Sequence, residues 1–238
     1  MIPERALTQI GIVHSIYKKK FGIPRQPGLV SEASATIELL PPFNNEQFVR
    51  GLEGFSHIWV LFVFHVSADE GWNSTVRPPR LGGKKRVGVF ASRSPFRPNP
   101  IGLSAVELEG ISFEKGKVFL HIKGVDILDG TPVIDIKPYL SYSDSIADAK
   151  GGYADAAPER PFEVVFSDEA DFRILKEKEN GHERLKELII DILSQDPRPA
   201  YYTSKHRRAN FSISILDFEI NWHVEDKAIM VTEVTDLK

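Results

Sequence analysis

The sequence predicts a mainly β protein, an N-terminal antiparallel β-barrel followed by a small C-terminal α+β domain. Three observations predict it. Six or so short runs of β-branched and aromatic residues fill the first 140 residues, punctuated by Gly and Pro, with almost no helical pattern between them. After Ser167 a helical stretch lies between strand-like runs. No GxGxxG follows a strand, so a doubly wound dinucleotide-binding sheet is not expected.

The elements follow in order. Thr8 to Ser15 is a short β-type run. Tyr17 to Val30 is a basic loop broken by Gly22, Pro24, Pro27 and Gly28. Ala35 to Leu40 reads as a strand ended by Pro41-Pro42, and Asn44 to Arg50 as a turn of helix capped by Asn44 or Asn45. Ser56 to Val66 (SHIWVLFVFHV) is the most apolar segment, and its composition predicts a fully buried strand. Asp69 to Arg86 is a long polar loop. Arg86 to Ala91, Ser104 to Phe113, Lys117 to Val125 and a run ending at Tyr139 read as further strands, with a turn at Glu114-Lys115-Gly116.

Composition shifts after Leu140. These breaks divide the chain into a barrel over residues 1–140, a linker rich in Ser, Ala, Gly, Asp and Pro over 141–160, and a small domain over 161–238. In the last, Phe162 to Phe166 is a strand, and Ser167 caps an acidic helix start. The helix runs to about Leu193 with a break at Asn180-Gly181. Asp196 to Tyr201 is a stiff loop. Alternation from Phe211 and from Phe218 predicts two strands, and Glu225-Asp226-Lys227 a turn into a last strand from Ala228 to Val234.

Between strand-like runs, Ala91 to Leu103 (ASRSPFRPNPIGL) carries Pro95, Pro98 and Pro100. Each proline fixes its own φ and biases the residue before it, so Arg93, Arg97 and Asn99 sit on a stiffened backbone. A rigid polar loop on a β scaffold is either a plain connection or the presentation of a site.

Of the residues, 42% are hydrophobic, enough for a sizeable core. There is no cysteine, which excludes disulfides, zinc–thiolate sites, iron–sulfur clusters and a Cys nucleophile. No apolar run approaches the ~20 residues of a membrane span and no signal peptide is legible, so a cytoplasmic protein is expected. The net charge of −3 hides an asymmetry: residues 1–140 hold 17 Lys and Arg against 13 Asp and Glu, and residues 141–238 hold 13 against 20. Two windows contain no acid. One, between Glu4 and Glu32, holds Arg5, Lys18, Lys19, Lys20 and Arg25. The other, between Glu70 and Glu107, holds Arg77, Arg80, Lys84, Lys85, Arg86, Arg93 and Arg97. Two such windows suit a phosphate-rich partner.

Among titratable residues, His65 at the end of an apolar strand either lines a site or sits on its rim. Asp126 and Asp129 close an apolar strand in VDILDGTP. Asp129-Gly130 has a turn role available; Asp126 does not. Carboxylates here suit ribose hydroxyls, a cation or a proton to be abstracted, and Asp135 follows close behind. No Walker A, HExxH or GxSxG occurs. With no histidine ligand set, no metal site is expected.

Several stretches together resemble the TsaA-like (YaeB-like) family. They are PRQPGLV (Pro24 to Val30), RGLEGFSHIWVLFVFH (Arg50 to His65), TVRPPRLGG (Thr75 to Gly83), GVFASRSPFRPNPIGLS (Gly88 to Ser104), VDILDGTPVIDIKPY (Val125 to Tyr139) and DPRPAY (Asp196 to Tyr201). The resemblance implies a non-Rossmann β-barrel methyltransferase. It implies that S-adenosylmethionine methylates the exocyclic nitrogen of threonylcarbamoyladenosine at position 37, next to the anticodon. It also implies a homodimer. Its cofactor contacts fall on Gln26, Pro27, Gly28, His65, Val66, Arg93, Leu103, Asp126, Ile127, Leu128 and Asp129. Asp126, Asp135 and His65 are the candidates for a base. The tRNA anticodon stem-loop would meet Lys18, Lys19, Lys20, Arg25, Arg77, Arg80, Arg97 and Asn99. Arg198 and Tyr201 either join them or form a docking loop between the domains. The competing reading is a non-catalytic RNA-binding barrel.

Overall fold

The computed structural model describes residues 6–159, 161–198, 210–225 and 228–237. Strands β1 (Gly11–Ser15), β2 (Ser34–Leu39) and β3 (His57–Val63) open the chain. Strands β4 (Thr75–Val76) and β5 (Val87–Gly88) pair only with each other. Strands β6 (Ile101–Glu114), β7 (Lys117–Lys123) and β8 (Pro132–Pro138) follow. The six long strands close into an antiparallel barrel in the order β1-β2-β7-β6-β3-β8.

Alternation sets the register. Val13, Ile37, Ile58, Val60, Leu120 and Ile122 point inward and are fully buried. β6 makes closure possible. Its first half pairs with β3 and its second with β7, and the ladder is irregular between Leu108 and Gly110, where the strand bends. The turn from β6 to β7 has Lys115 at φ 49° and Gly116 at φ 76°, a two-residue hairpin that matches the strands' twist. Asn45 caps the short helix Glu46–Val49 through Gln47 N–H at 2.9 Å.

Two local expectations are corrected. The segment from Ser56 is not a fully buried strand to Val66. β3 alternates, with Trp59, Leu61 and Val63 half-covered on the outer wall, and the chain turns helical over His65–Ala68. Its outer face is apolar because later chain packs against it: Trp59 Nε1 donates to Asp144 Oδ2 at 3.0 Å. Arg86 to Ala91 is not a barrel strand. Only Val87–Gly88 is extended, in the ribbon with β4, and Val89–Ala91 is a helical turn.

Strands β9 (Glu163–Phe166), β10 (Phe211–Ile215), β11 (Phe218–Glu225) and β12 (Ala228–Asp236) form a second sheet in the order β10-β11-β12-β9. β9 lies parallel to β12, and the helices Asp168–Glu179 and Leu185–Leu193 lie in the connection from β9 to β10. Ser167 caps the first helix through Ala170 N–H at 3.1 Å. Gly181, at φ +100°, breaks it from the second. The barrel and this sheet share one apolar cluster. At the seam Tyr17 bridges Ile215, and Leu216 N–H donates to Ile16 C=O at 2.8 Å. Asp226 and Lys227, the expected turn residues, lie outside the described residues. Among the described residues, no helix is long and apolar enough to cross a membrane.

Candidate functional site

A cavity of about 920 Å³ opens at one end of the barrel and runs along the outer wall of β6 and β3. Four segments build it: the loop after β1, the turn after β3, the proline-rich loop before β6, and the turn between β7 and β8.

Backbone hydrogen bonds lock these segments together. Gly28 N–H donates to Gly124 C=O at 2.8 Å, and Gly28 adopts a φ of +75° that only glycine takes without strain. Asp129 N–H donates to Tyr17 C=O at 2.9 Å, and Ser15 N–H donates to Asp129 Oδ1 at 2.7 Å. The turn carrying Asp126 to Leu128 is therefore stitched to the barrel at both ends. Phe64 N–H donates to Pro100 C=O at 2.8 Å, which fixes the end of the proline loop. Within that loop Ser92 Oγ accepts from Ser94 N–H and Ser94 Oγ accepts from Phe96 N–H, each at 3.3 Å. Arg97 Nη1 folds back onto Ser92 C=O at 3.1 Å. The stiffness thus comes from serine turns and an arginine brace as well as from proline.

Asp126 is the electrostatic centre. It is partly buried at the barrel mouth and accepts from Ser104 Oγ at 2.6 Å. Loss of solvation pushes its carboxyl up from 3.8 to about 6; the Ser104 hydrogen bond and nearby Arg93 oppose the rise without cancelling it. Arg93 donates to Gln26 Oε1 across the cavity. The His65 imidazole is pushed down, first by burial and then by Lys20, so it is neutral at physiological pH. The site therefore presents a carboxyl poised to hold or release a proton, a guanidinium, an amide and a neutral imidazole around one space.

Residues 12–145 match the N-terminal domain of tRNA-methyltransferase O (TrmO), and residues 159–237 match the C-terminal domain of TrmO. The chain belongs to the TrmO family. The tRNA (adenine(37)-N6)-methyltransferase of Escherichia coli is 47% identical over 223 residues, 94% of each chain. The mouse protein of that name is 49% identical over 138 residues, 57% of this chain and 31% of its own. A crystal structure of TrmO from Pseudomonas aeruginosa superposes with a TM-score of 0.80 at 37% identity, covering 99% of this chain and 100% of that one.

The TrmO-type cavity gathers most of the residues that the sequence singled out. Gln26, Pro27, His65, Val66, Arg93, Leu103, Asp126, Ile127 and Leu128 all line it. Leu103 stands on the outer wall of β6, 52% exposed, an apolar surface free to meet a ligand. Three residues do not line it. Gly28 contributes the close approach to Gly124. Asp129 is held by Ser15 N–H and by Lys18 at 3.0 Å, a turn-fixing role. Asp135 sits on β8 opposite Leu61 and pairs with Lys137 at 2.8 Å.

The basic residues divide as well. Lys19 pairs with Glu219 at 3.8 Å and Lys20 with Glu70 at 3.0 Å. Arg198 pairs with Asp196 at 2.6 Å and lies over the Phe162 ring, 5.1 Å from its centre. Arg25, Arg97 and Asn99 line the cavity, Arg80 donates to Ala156 C=O, and Arg77 is exposed. Tyr201 lies outside the described residues. The sequence reading did not single out Trp59, Phe90, Ser104, Tyr139 or Asp144, which also line the cavity. Alternation along β6 was the available signal for Ser104, whose side chain points inward.

Proposed function

We propose that this protein transfers the methyl group of S-adenosylmethionine to N6 of adenosine 37 in tRNA, and that its substrate is the threonylcarbamoyl form of that nucleotide. The observation that supports this most strongly is the convergence of Asp126, Arg93 and Gln26 in one cavity of a TrmO-family chain.

The donor set fits S-adenosylmethionine. Arg93, exposed and held toward Gln26, suits the carboxylate of the amino-acid part as a bidentate donor. Asp126, when ionised, accepts from the ribose hydroxyls. Leu103 and Ile127 supply apolar contact for the adenine, and the backbone of Gln26 to Gly28 lies close by. When bound, the cofactor supplies a methyl group on a sulfonium, an electrophile that needs no metal. The chain then has two tasks. It holds the acceptor nitrogen in line with the methyl group, a gain in effective concentration rather than in chemistry. It also receives the proton that the nitrogen loses. Of the three base candidates, Asp126 and His65 line the cavity. The neutral His65 is ready to accept a proton, and Asp126 is ready once ionised. Asp135, tied to Lys137 on the outer wall, is a weaker candidate.

The partner in this reading is the tRNA anticodon stem-loop, and the enzyme acts in the cytoplasm as a homodimer. Mass spectrometry of tRNA nucleosides from a strain lacking the gene tests it. Loss of N6-methylated threonylcarbamoyladenosine, with the unmethylated parent accumulating, is expected. Retention of the methylated nucleoside would show that the activity lies elsewhere.

A further inference from the structure

We propose that the ribbon Thr75–Gly88 is the surface that grips the tRNA, that Lys18 to Lys20 after β1 are not, and that Phe90 at the ribbon's foot stacks on an unpaired base at the cavity mouth. This rests on the tRNA substrate proposed above.

The sequence offers two acid-free basic windows of similar appearance. The fold treats them differently. In the first, acids distant in sequence arrive beside the lysines: Asp129 at 3.0 Å from Lys18, Glu219 at 3.8 Å from Lys19, and Glu70 at 3.0 Å from Lys20. A phosphate binding there must displace a carboxylate already in place, so little counterion release is gained. In the ribbon, among the described residues, no carboxylate pairs with Arg77, Lys84, Lys85 or Arg86. Their charges add into one positive field.

The ribbon is also stiff. Arg86 donates across it to Thr75 Oγ1 at 2.7 Å. Gly82 and Gly83, at φ +66° and +67°, make a reverse turn that other residues would strain, and it delivers exposed Lys84 and Lys85. At the foot, Val89 N–H donates to Ser74 C=O at 3.0 Å, which fixes the next residue. Phe90 is 79% exposed and also lines the cavity. A ring left in water beside an unpaired positive field suits the face of an unstacked base, which needs no particular sequence. A second copy of this chain is the rival occupant of that ring.

Fluorescence anisotropy with a labelled anticodon stem-loop across a salt series tests the proposal. Lys84→Ala/Lys85→Ala is expected to lower the slope of log K against log salt by about 2, roughly one per cation removed. Lys19→Ala should bind within about twofold of wild type, and calorimetry with S-adenosylmethionine should be unchanged for both variants. Equal losses in the two variants, or wild-type binding by the double variant, would overturn the assignment. Phe90→Ala should lower kcat/KM for the stem-loop about fivefold, the lower end for one stacked base, with an unchanged sedimentation profile. A shift to a smaller species would assign Phe90 to contact between copies and overturn the stacking role. Failure of the wild-type protein to bind the stem-loop at all would instead overturn the substrate reading, and this inference with it.

Discussion

Replacing Asp126 with Asn should make the protein more stable at neutral pH while weakening its function. The carboxyl is raised from 3.8 to about 6, chiefly because the barrel mouth strips solvent from the charged form. The folded state therefore holds this proton more tightly than the unfolded chain does. Its favourable contribution is fully present below about 3.8 and is lost as pH rises through about 6. A shift of roughly two pKa units corresponds to about 3 kcal/mol. Asn keeps the shape and still accepts the Ser104 hydrogen bond, but it never ionises. Urea unfolding of both proteins between pH 4 and pH 7 isolates the effect, since every other titrating group is common to the pair. The stability of wild type relative to Asp126→Asn should fall by about 2 kcal/mol across that range, the first part of the effect being already lost at pH 4. A difference that stays flat with pH, or that rises, would refute the view that Asp126 is held in a desolvated mouth.

Arg93→Ala should leave the barrel folded, because the side chain is exposed, and should weaken S-adenosylmethionine binding by about 10- to 100-fold in calorimetry; unchanged affinity would remove Arg93 from the site. If ionised Asp126 accepts the ribose hydroxyls, cofactor affinity should fall about tenfold per pH unit below about 6 and level off above it. A pH-independent affinity in Asp126→Asn would complete that test. Gly102→Ala would place a Cβ 2.3 Å from the Phe62 ring inside the barrel. It should cost about 1–3 kcal/mol in urea unfolding. Adding Phe62→Val should recover part of that loss, and no recovery would mean the strain lies elsewhere.

The barrel was legible because its strands obey simple rules. β7 and β11 alternate cleanly, and the Lys115-Gly116 turn and the Asn45 and Ser167 caps are local chemistry. β3 misled because an outer wall covered by later chain is as apolar as a core. Arg86 to Ala91 misled because a β-rich composition does not say whether a partner strand is available; only β4 was, for two residues. The residues that meet in the cavity were legible where motifs are dense, at Gln26, Arg93 and Asp126. Charge was legible only locally. Nothing in the run from Tyr17 to Lys20 shows that Asp129, Glu219 and Glu70 will fold against it. Likewise Trp59 and Asp144, far apart in sequence, meet only once residues after β8 cross β3.

The most direct test of the account is methyl transfer by the purified protein itself. It should be supplied with S-adenosylmethionine and two tRNAs that differ only in the threonylcarbamoyl group on adenosine 37. Single-turnover labelling followed by nucleoside mapping should place one methyl group on N6 of the modified nucleotide and essentially none on the unmodified tRNA. Labelling at another position, or equal labelling of both tRNAs, would contradict the account.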